Sequence, residues 1–507
     1  MSCRMATTVL ALLVNACGGG ADSAAVSTAP PPPPTIPIAI LSASSLSFAT
    51  LDIGSTSAPQ AVTLSNTGTA SLRVTGISIS GDFGQSNNCG TSVGIGAQCT
   101  IQITFMPTAI GSRSGTLSVS DNAAASPQSI SLSGPGVIRV DAGTPAAFFA
   151  MNLSLITDWP TAPSLGAVRL WDTHTAWEFV ETSRGTYDWT TIDSWVAAAQ
   201  AHGVDVLYTL GRTPAWASTA GTVNTPPTDL TTWDEFVTAL VTRYKGKIKY
   251  YEGWNEPNAP NFYNGTTAQL VALQQHAFGI IHQIDPAALV LSPPPATAGS
   301  TIKVSQFLSQ FFAAGGGAFV DIIAFHGYTP PDAELIATLV KNVTDSTPKY
   351  GQASKPLWIT EGGWSTQTAV SDPNLQAAFA AKYLLLVRGL GIARFYWYGF
   401  DYVPWGTLFD KTSMTLLKPG IAYREVQRWL LGATMNQPCA QDAMGTWSCT
   451  LTRANGYQAV AVWNNNGGTY APGIYKQYRD INGNTFSIGG SLTLSNTPIL
   501  LETGPGF

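Results

Sequence analysis

Between residues 138 and 432 one alternation repeats eight times: a short apolar run, a polar loop, then a helix-length stretch with an apolar face. The apolar runs fall at 147–151, 168–171, 204–210, 248–254, 289–291, 322–326, 356–361 and 394–398. Of the helical stretches, one opens on Thr232-Trp233-Asp234-Glu235, which reads as a capping box, and carries Trp233, Phe236, Val237, Leu240, Val241 and Tyr244 on one face. Another opens the same way on Thr266-Thr267-Ala268-Gln269, with Leu270, Leu273 and Ala277 behind it. A third shows Ile192, Trp195, Val196 and Ala199. Strands that alternate with helices pair in parallel, and eight of them close into a barrel of about 250 residues. The expected fold class is therefore α/β, with a (β/α)8 TIM barrel over 138–432.

The ends of two of these strands carry the chemistry. Trp254-Asn255-Glu256-Pro257-Asn258 follows the fourth strand, and Trp358-Ile359-Thr360-Glu361-Gly362 ends the seventh. Strands four and seven face each other across a barrel mouth, so Glu256 and Glu361 form the carboxylate pair that glycoside hydrolysis needs. Glu256 is the expected acid/base, because Trp254 and Pro257 offer a drier setting that favours the protonated form. Glu361 is the expected nucleophile, with the Tyr328 hydroxyl and the Arg169 guanidinium as donors to its anion. Asn255 offers an amide to a sugar hydroxyl. His326 has two open readings, orienting a catalytic group or filling the core as a satisfied histidine. Trp397 is the expected platform beneath the sugar. Trp171, Trp216, Trp364 and Trp405 are candidates for the cleft walls, with core packing an equal alternative for each. Glu252 reads as an interior barrel carboxylate on the face of Trp254, and Glu178 and Glu181 as helix-capping or pairing groups. His174 is assigned to the rim; His202, His276 and His282 fall on helices as structural residues. No grouping of His, Cys and carboxylates reads as a metal site and no Gly-rich phosphate loop occurs, so neither metal nor cofactor is expected.

These same stretches resemble the clan A glycoside hydrolases, and within the clan family 39. Supporting segments are Arg169-Leu170-Trp171-Asp172, Trp177-Glu178-Phe179-Val180-Glu181 and Leu210-Gly211-Arg212-Thr213-Pro214-Ala215-Trp216. The resemblance implies a retaining, double-displacement hydrolase acting on a poly- or oligosaccharide. Two rivals share the residues: a surface carbohydrate-binding protein or adhesin without activity, and a transglycosylase on the same site.

The flanks differ in rhythm. Residues 41–137 alternate apolar and small polar residues in short runs separated by turns such as Ser65-Asn66-Thr67-Gly68, the pattern of an all-β sandwich. The stretch resembles the immunoglobulin-like modules called choice-of-anchor D domains, through Val62-Thr63-Leu64-Ser65-Asn66-Thr67-Gly68, Ile103-Thr104-Phe105-Met106-Pro107 and the Cys89/Cys99 pair; that resemblance implies a spacer or adhesion role. Gly90-Thr91-Ser92-Val93-Gly94 matches a nucleophile elbow formally, but an all-β setting lacks the strand–turn–helix corner the motif requires. Residues 433–507 return to β character and predict a small C-terminal β-sandwich packed on the barrel. Cys89/Cys99 and Cys439/Cys449, each ten residues apart without histidine company, predict two local disulfides in an oxidising compartment.

The N-terminus, 1–17, has a short basic start and an apolar run before Cys17. Two readings stay open, an ordinary cleaved signal and a lipobox that would make Cys17 a lipidated N-terminus. Residues 18–40, with Gly18-Gly19-Gly20 and a run of prolines, read as a tether. A secreted or cell-surface location follows, as an outer-membrane lipoprotein of a bacterium, with the membrane met only through that anchor. No later apolar run reaches the ~20 residues a spanning helix needs. A formal net charge of −5 with 11% charged residues argues against nucleic acid as a partner, which requires a basic face. Carbohydrate remains the expected partner: 15 Trp supply rings on which sugar C–H faces stack.

Overall fold

The computed structural model describes residues 34–49, 51–52, 56–108, 111–137, 143–297, 300, 302–364, 370–402, 405–435, 437–453 and 456–504. The signal or lipobox with Cys17, and the tether up to residue 33, lie outside them.

Eight parallel strands form the central sheet: Phe149–Asn152, Ala167–Leu170, Asp205–Thr209, Tyr250–Glu252, Leu289–Leu291, Ile323–His326, Leu357–Gly362 and Arg394–Trp397. Each pairs with its sequence neighbours, the first also with the eighth, and a parallel bridge between Leu291 and Ile322 brings the fifth to the sixth. A nearly closed (β/α)8 barrel results. Side-chain alternation sorts its two faces. Ala150, Ala167, Leu207, Leu291, Ala324, Trp358 and Tyr396 fill the interior, while Phe149, Val168, Val206, Ile323, Phe325, Ile359 and Phe395 meet the surrounding helices.

Two local expectations resolve differently. Thr266 caps its helix in a full capping box with Gln269, as the pattern predicts. The helix expected at Thr232 starts earlier, at Leu230, because Asp229 is the cap and its carboxylate accepts from the Thr231 amide at 2.9 Å. The Thr232 hydroxyl instead donates to the Asp229 carbonyl. An aspartate serves a helix start as well as threonine does, and the Asp229 register leaves Trp233 and Phe236 facing the core.

The N-terminal module is a two-sheet sandwich. One sheet holds Ala39–Leu41, Gln60–Asn66, Gln98–Phe105 and Phe83–Asn87; the other is built on Gln128–Val137, Gly111–Asp121 and Leu72–Ile79. Val62, Leu64, Ile101, Ile103, Phe105, Leu117 and Ile130 meet between them, fully buried. Ser92 sits exposed on the two-residue strand Ser92–Val93, so the elbow-like motif has no helix to aim it. After the barrel, Thr446–Thr452, Gln458–Asn464, Ile499–Glu502 and Gln477–Arg479 form the centre of a second β unit. It docks on the barrel through Trp463, whose indole donates to Glu334 at 2.9 Å, while Lys382 pairs with Glu334 at 3.0 Å.

Disulfides join Cys89 to Cys99 and Cys439 to Cys449. Closing a loop of this length removes entropy from the unfolded chain worth about 3 kcal/mol. Cys449 is fully buried beside the barrel core, so Cys449→Ser is expected to lower the melting temperature of the barrel and C-terminal unit together. Calorimetry showing the N-terminal module's transition shifted instead would refute that coupling.

Candidate active site

Arg169 enters the barrel mouth on the second strand with its side chain wholly buried. It is the hub of the site. Nε donates to Glu252 at 2.7 Å, Nη1 to Glu361 at 2.5 Å and Nη2 to the Asn255 carbonyl oxygen at 2.6 Å. Glu252 accepts further from Thr209 at 2.8 Å. A buried cation held by two carboxylates and an amide fixes the ends of the fourth and seventh strands relative to one another.

Glu361 reaches the mouth through an irregularity. Trp358 points inward, so strict alternation would send Glu361 outward to the helices. The register slips between Ile359 and Gly362 against the eighth strand, and between Phe325 and His326 against the sixth. Such a bulge re-aims one side chain, here the carboxylate of Glu361. Glu361 then accepts from the Tyr328 hydroxyl at 2.7 Å as well as from Arg169. Glu256 stands on a left-handed backbone, φ 45°, an uncommon state for a residue with a Cβ and one that tertiary contacts must hold. Its amide donates to the Pro294 carbonyl, and Asn258 anchors the loop by donating to the carbonyls of Ala296 and Ile302.

His326 joins the two glutamates. Its Nδ1 lies 2.7 Å from Glu256 and 3.4 Å from Glu361, and one oxygen of each carboxylate lies with it inside a 4.8 Å circle. Burial pulls the imidazole down to about 4, so it is neutral near neutral pH. Burial also pushes Glu256 up to about 7, opposed by Arg169 and reinforced by the charge of Asp172. Glu361 is raised by burial too, but His326 and Arg169 counter the shift. Glu256 is thus the carboxyl suited to holding a proton, and Glu361, with a guanidinium and a phenol donating to it, the one suited to an anion. Glu256, His326 and Glu361 also have the donor types a divalent ion takes. Each is already engaged in hydrogen bonds, and Arg169 sits as a fixed positive charge against Glu361.

A cavity of about 330 Å3 opens over these groups, walled by Trp171, Phe262, Tyr328, Tyr398, Tyr402 and Trp405, with Asn255, Glu256 and Glu361 at its base. The structure brings Arg169, Asn255, Glu256, His326, Tyr328 and Glu361 together and leaves other expectations elsewhere. Trp397 is no platform: it is fully buried, edge-on to Trp364 and Tyr423, and donates to the Gly406 carbonyl. Trp364 is likewise core, packed on Phe379. Trp216 donates to the Glu181 carbonyl outside the cavity. Trp254 is not the dry wall of Glu256: the fourth strand ends at Glu252, alternation stops there, and the indole turns outward onto Trp233 and Tyr263. Glu256 is dried by the cavity walls and His326 instead. His174 lies against Phe179, Glu178 pairs with Arg212, and Glu181 accepts from Trp177. His276 and His282 pair with Asp234 and Asp321.

Asp172, Tyr398, Tyr402 and Phe262 were missed as site residues. For Tyr398 a signal existed. On the eighth strand Arg394, Tyr396 and Tyr398 share one parity, with Tyr396 inside the barrel, whereas Phe395 and Trp397 share the other. Parity therefore favours tyrosine over tryptophan as the aromatic at the mouth.

Comparison with known proteins agrees with this geometry. Residues 185–423 match the family model described as glycosyl hydrolase catalytic core, and residues 38–135 match a HYDIN/CFA65/VesB-like Ig-like domain. Among solved structures, a family 39 glycoside hydrolase from Bacteroides cellulosilyticus superposes with a TM-score of 0.55 at 18% identity, over 90% of this chain and 98% of that one. A glucosidase from Croceicoccus marinus gives 0.53 at 14% identity over 72% and 97%. A family 30 endoxylanase from Clostridium papyrosolvens gives 0.51 at 13% over 72% and 98%. At such identities these three speak for the fold.

Proposed function

We propose, for a chain whose barrel is a glycosyl hydrolase catalytic core, that it hydrolyses poly- or oligosaccharides with retention of anomeric configuration. The observation that carries this reading is the carboxylate gap: oxygens of Glu256 and Glu361 approach within 4.8 Å. Retaining enzymes place their carboxyl groups about 5–5.5 Å apart, whereas inversion needs about 6.5–9.5 Å to seat a water between carboxylate and sugar. In the first step Glu361 attacks the anomeric carbon while Glu256 gives its proton to the departing oxygen. In the second, Glu256 takes a proton from water as water releases the sugar from Glu361. Arg169 and Tyr328 hold the nucleophile's anion in place, and the Asn255 amide faces the sugar. Proton NMR of the first-formed product tests the reading: the substrate's configuration is expected, and the opposite anomer would overturn it.

The state of Glu256 sets a pH limb. Cleavage of the glycosidic bond needs its proton and an ionised Glu361, so kcat/KM is expected to fall as pH rises through about 7, while protonation of Glu361 sets the acid limb. Glu256→Gln is expected to cost about 10²–10⁴-fold on a glycoside with a poor leaving group and much less in the first step on a dinitrophenyl glycoside, whose leaving group needs no proton. An equal loss on both would refute the acid role.

A further inference from the structure

The cavity over the carboxylates does not end at its rear wall. Beyond Tyr398 lies a second one of about 240 Å3, lined by Asn152, Ser154, Arg169 and Gly399, and the two share Asp172, Tyr398 and Tyr402. At the shared edge the Tyr398 hydroxyl donates to one Asp172 oxygen at 2.8 Å. No other protein donor reaches that carboxylate among the described residues. Asp172 itself is exposed to the cavities. An exposed carboxylate with one oxygen held and the other open, between two small compartments that adjoin each other, is placed to accept hydroxyl donors from a ligand on either side.

We propose that Asp172 is the specificity-determining carboxylate of this site, taking hydroxyls of two adjoining glycosyl units and restricting them to uncharged sugars. The inference rests on the retaining-hydrolase reading and deepens it to a substrate class. Charge carries the second half. Asp172, Glu252 and Glu361 surround one cation, Arg169, which is committed to Glu252 and Glu361. Arg212, stacked 6.0 Å from the Trp171 ring, is paired with Glu178. Lys411 is paired with Asp158 and Asp401. A uronic acid's carboxylate would thus enter a compartment with an excess of negative charge and no uncommitted cation among the lining residues. Like charges about 5 Å apart at an effective dielectric near 20 correspond to roughly 100-fold in binding.

Asp172 also acts through Glu256, which faces Arg169 and Asp172 from the second strand and the loop after it, His326 from the sixth and Glu361 from the seventh. Removing the Asp172 charge takes away a like-charge neighbour and eases loss of the Glu256 proton.

The test compares kcat/KM of wild type and Asp172→Asn on pairs of 4-nitrophenyl glycosides differing only in a neutral CH2OH or a carboxylate at C6. Wild type is expected to favour the neutral member by roughly 100-fold, Asp172→Asn to narrow that ratio, and its alkaline limb to move to lower pH. Asp172→Glu is expected to restore both. Calorimetric binding of neutral and uronic oligosaccharides to Glu256→Gln, which slows cleavage and keeps the Asp172 and Glu361 carboxylates, reads the same preference independently of catalytic rate. Equal affinity of Glu256→Gln for both classes, or an Asp172→Asn enzyme with unmoved limb and ratio, overturns the assignment. Either failure leaves retention standing, since product configuration reports on that separately.

Discussion

Replacing Glu361 by Gln is expected to lower kcat on the order of 10⁵-fold while leaving the fold intact. An amide of the same shape cannot attack the anomeric carbon, so the covalent step is lost outright, whereas the cavity and Glu256 remain. Removing a nucleophile that works as part of a unit costs this much in other covalent mechanisms, about 7 kcal/mol of barrier. The amide still fills the space between Arg169 and Tyr328, which is why stability should change little beside activity. The role is read more sharply with Glu361→Gly and added azide. Azide entering on the vacated face attacks the anomeric carbon, the aglycone departs with the Glu256 proton, and a glycosyl azide of inverted configuration forms. An azide product of retained configuration would exchange the roles of the two glutamates, and undiminished turnover in Glu361→Gln would end the assignment.

Arg169→Leu is expected to be the most destabilising single substitution in the barrel mouth, about 3–5 kcal/mol. The reason is what remains behind. Glu252 is fully buried, one of its oxygens has no partner even in the intact protein, and the other would keep only the Thr209 hydroxyl. An uncompensated buried carboxylate must protonate or pull water inward, and either costs stability. For a domain of this size the melting temperature should fall on the order of 10 °C. Adding Glu252→Gln to Arg169→Leu is expected to recover part of the loss, because it removes the orphaned charge. If the double substitution melts lower than the single one, the cost of losing Arg169 is packing and not charge.

Much of the frame was legible in the chain because it depends on periodicities that survive any tertiary context. The fifth strand appears at 289–291 as expected, and the others begin and end within a few residues of their apolar runs. Strand ends carrying Glu256 and Glu361 followed, as did the donors Arg169 and Tyr328, since residues at one barrel rim converge whatever their separation in sequence. The failures share one cause. Trp397, Trp364 and Trp254 were placed by residue type, and an indole that would suit a sugar suits a barrel–helix core equally well. The face of Trp397 follows from its parity with Phe395, and those of Trp254 and Trp364 depend on where alternation stops. It ends after Glu252, and it slips by a residue near Glu361.

That division is physical. Hydrophobic period, chain length and capping chemistry are local, and they alone specify a (β/α)8 barrel between two β units with two glutamates at its mouth. The bulge that turns Glu361 inward, the left-handed backbone of Glu256 and the Arg169 hub each depend on partners brought in from other strands or on backbone angles set by packing. So does the raised proton affinity of Glu256, which follows from the walls that close around it once the strands have met.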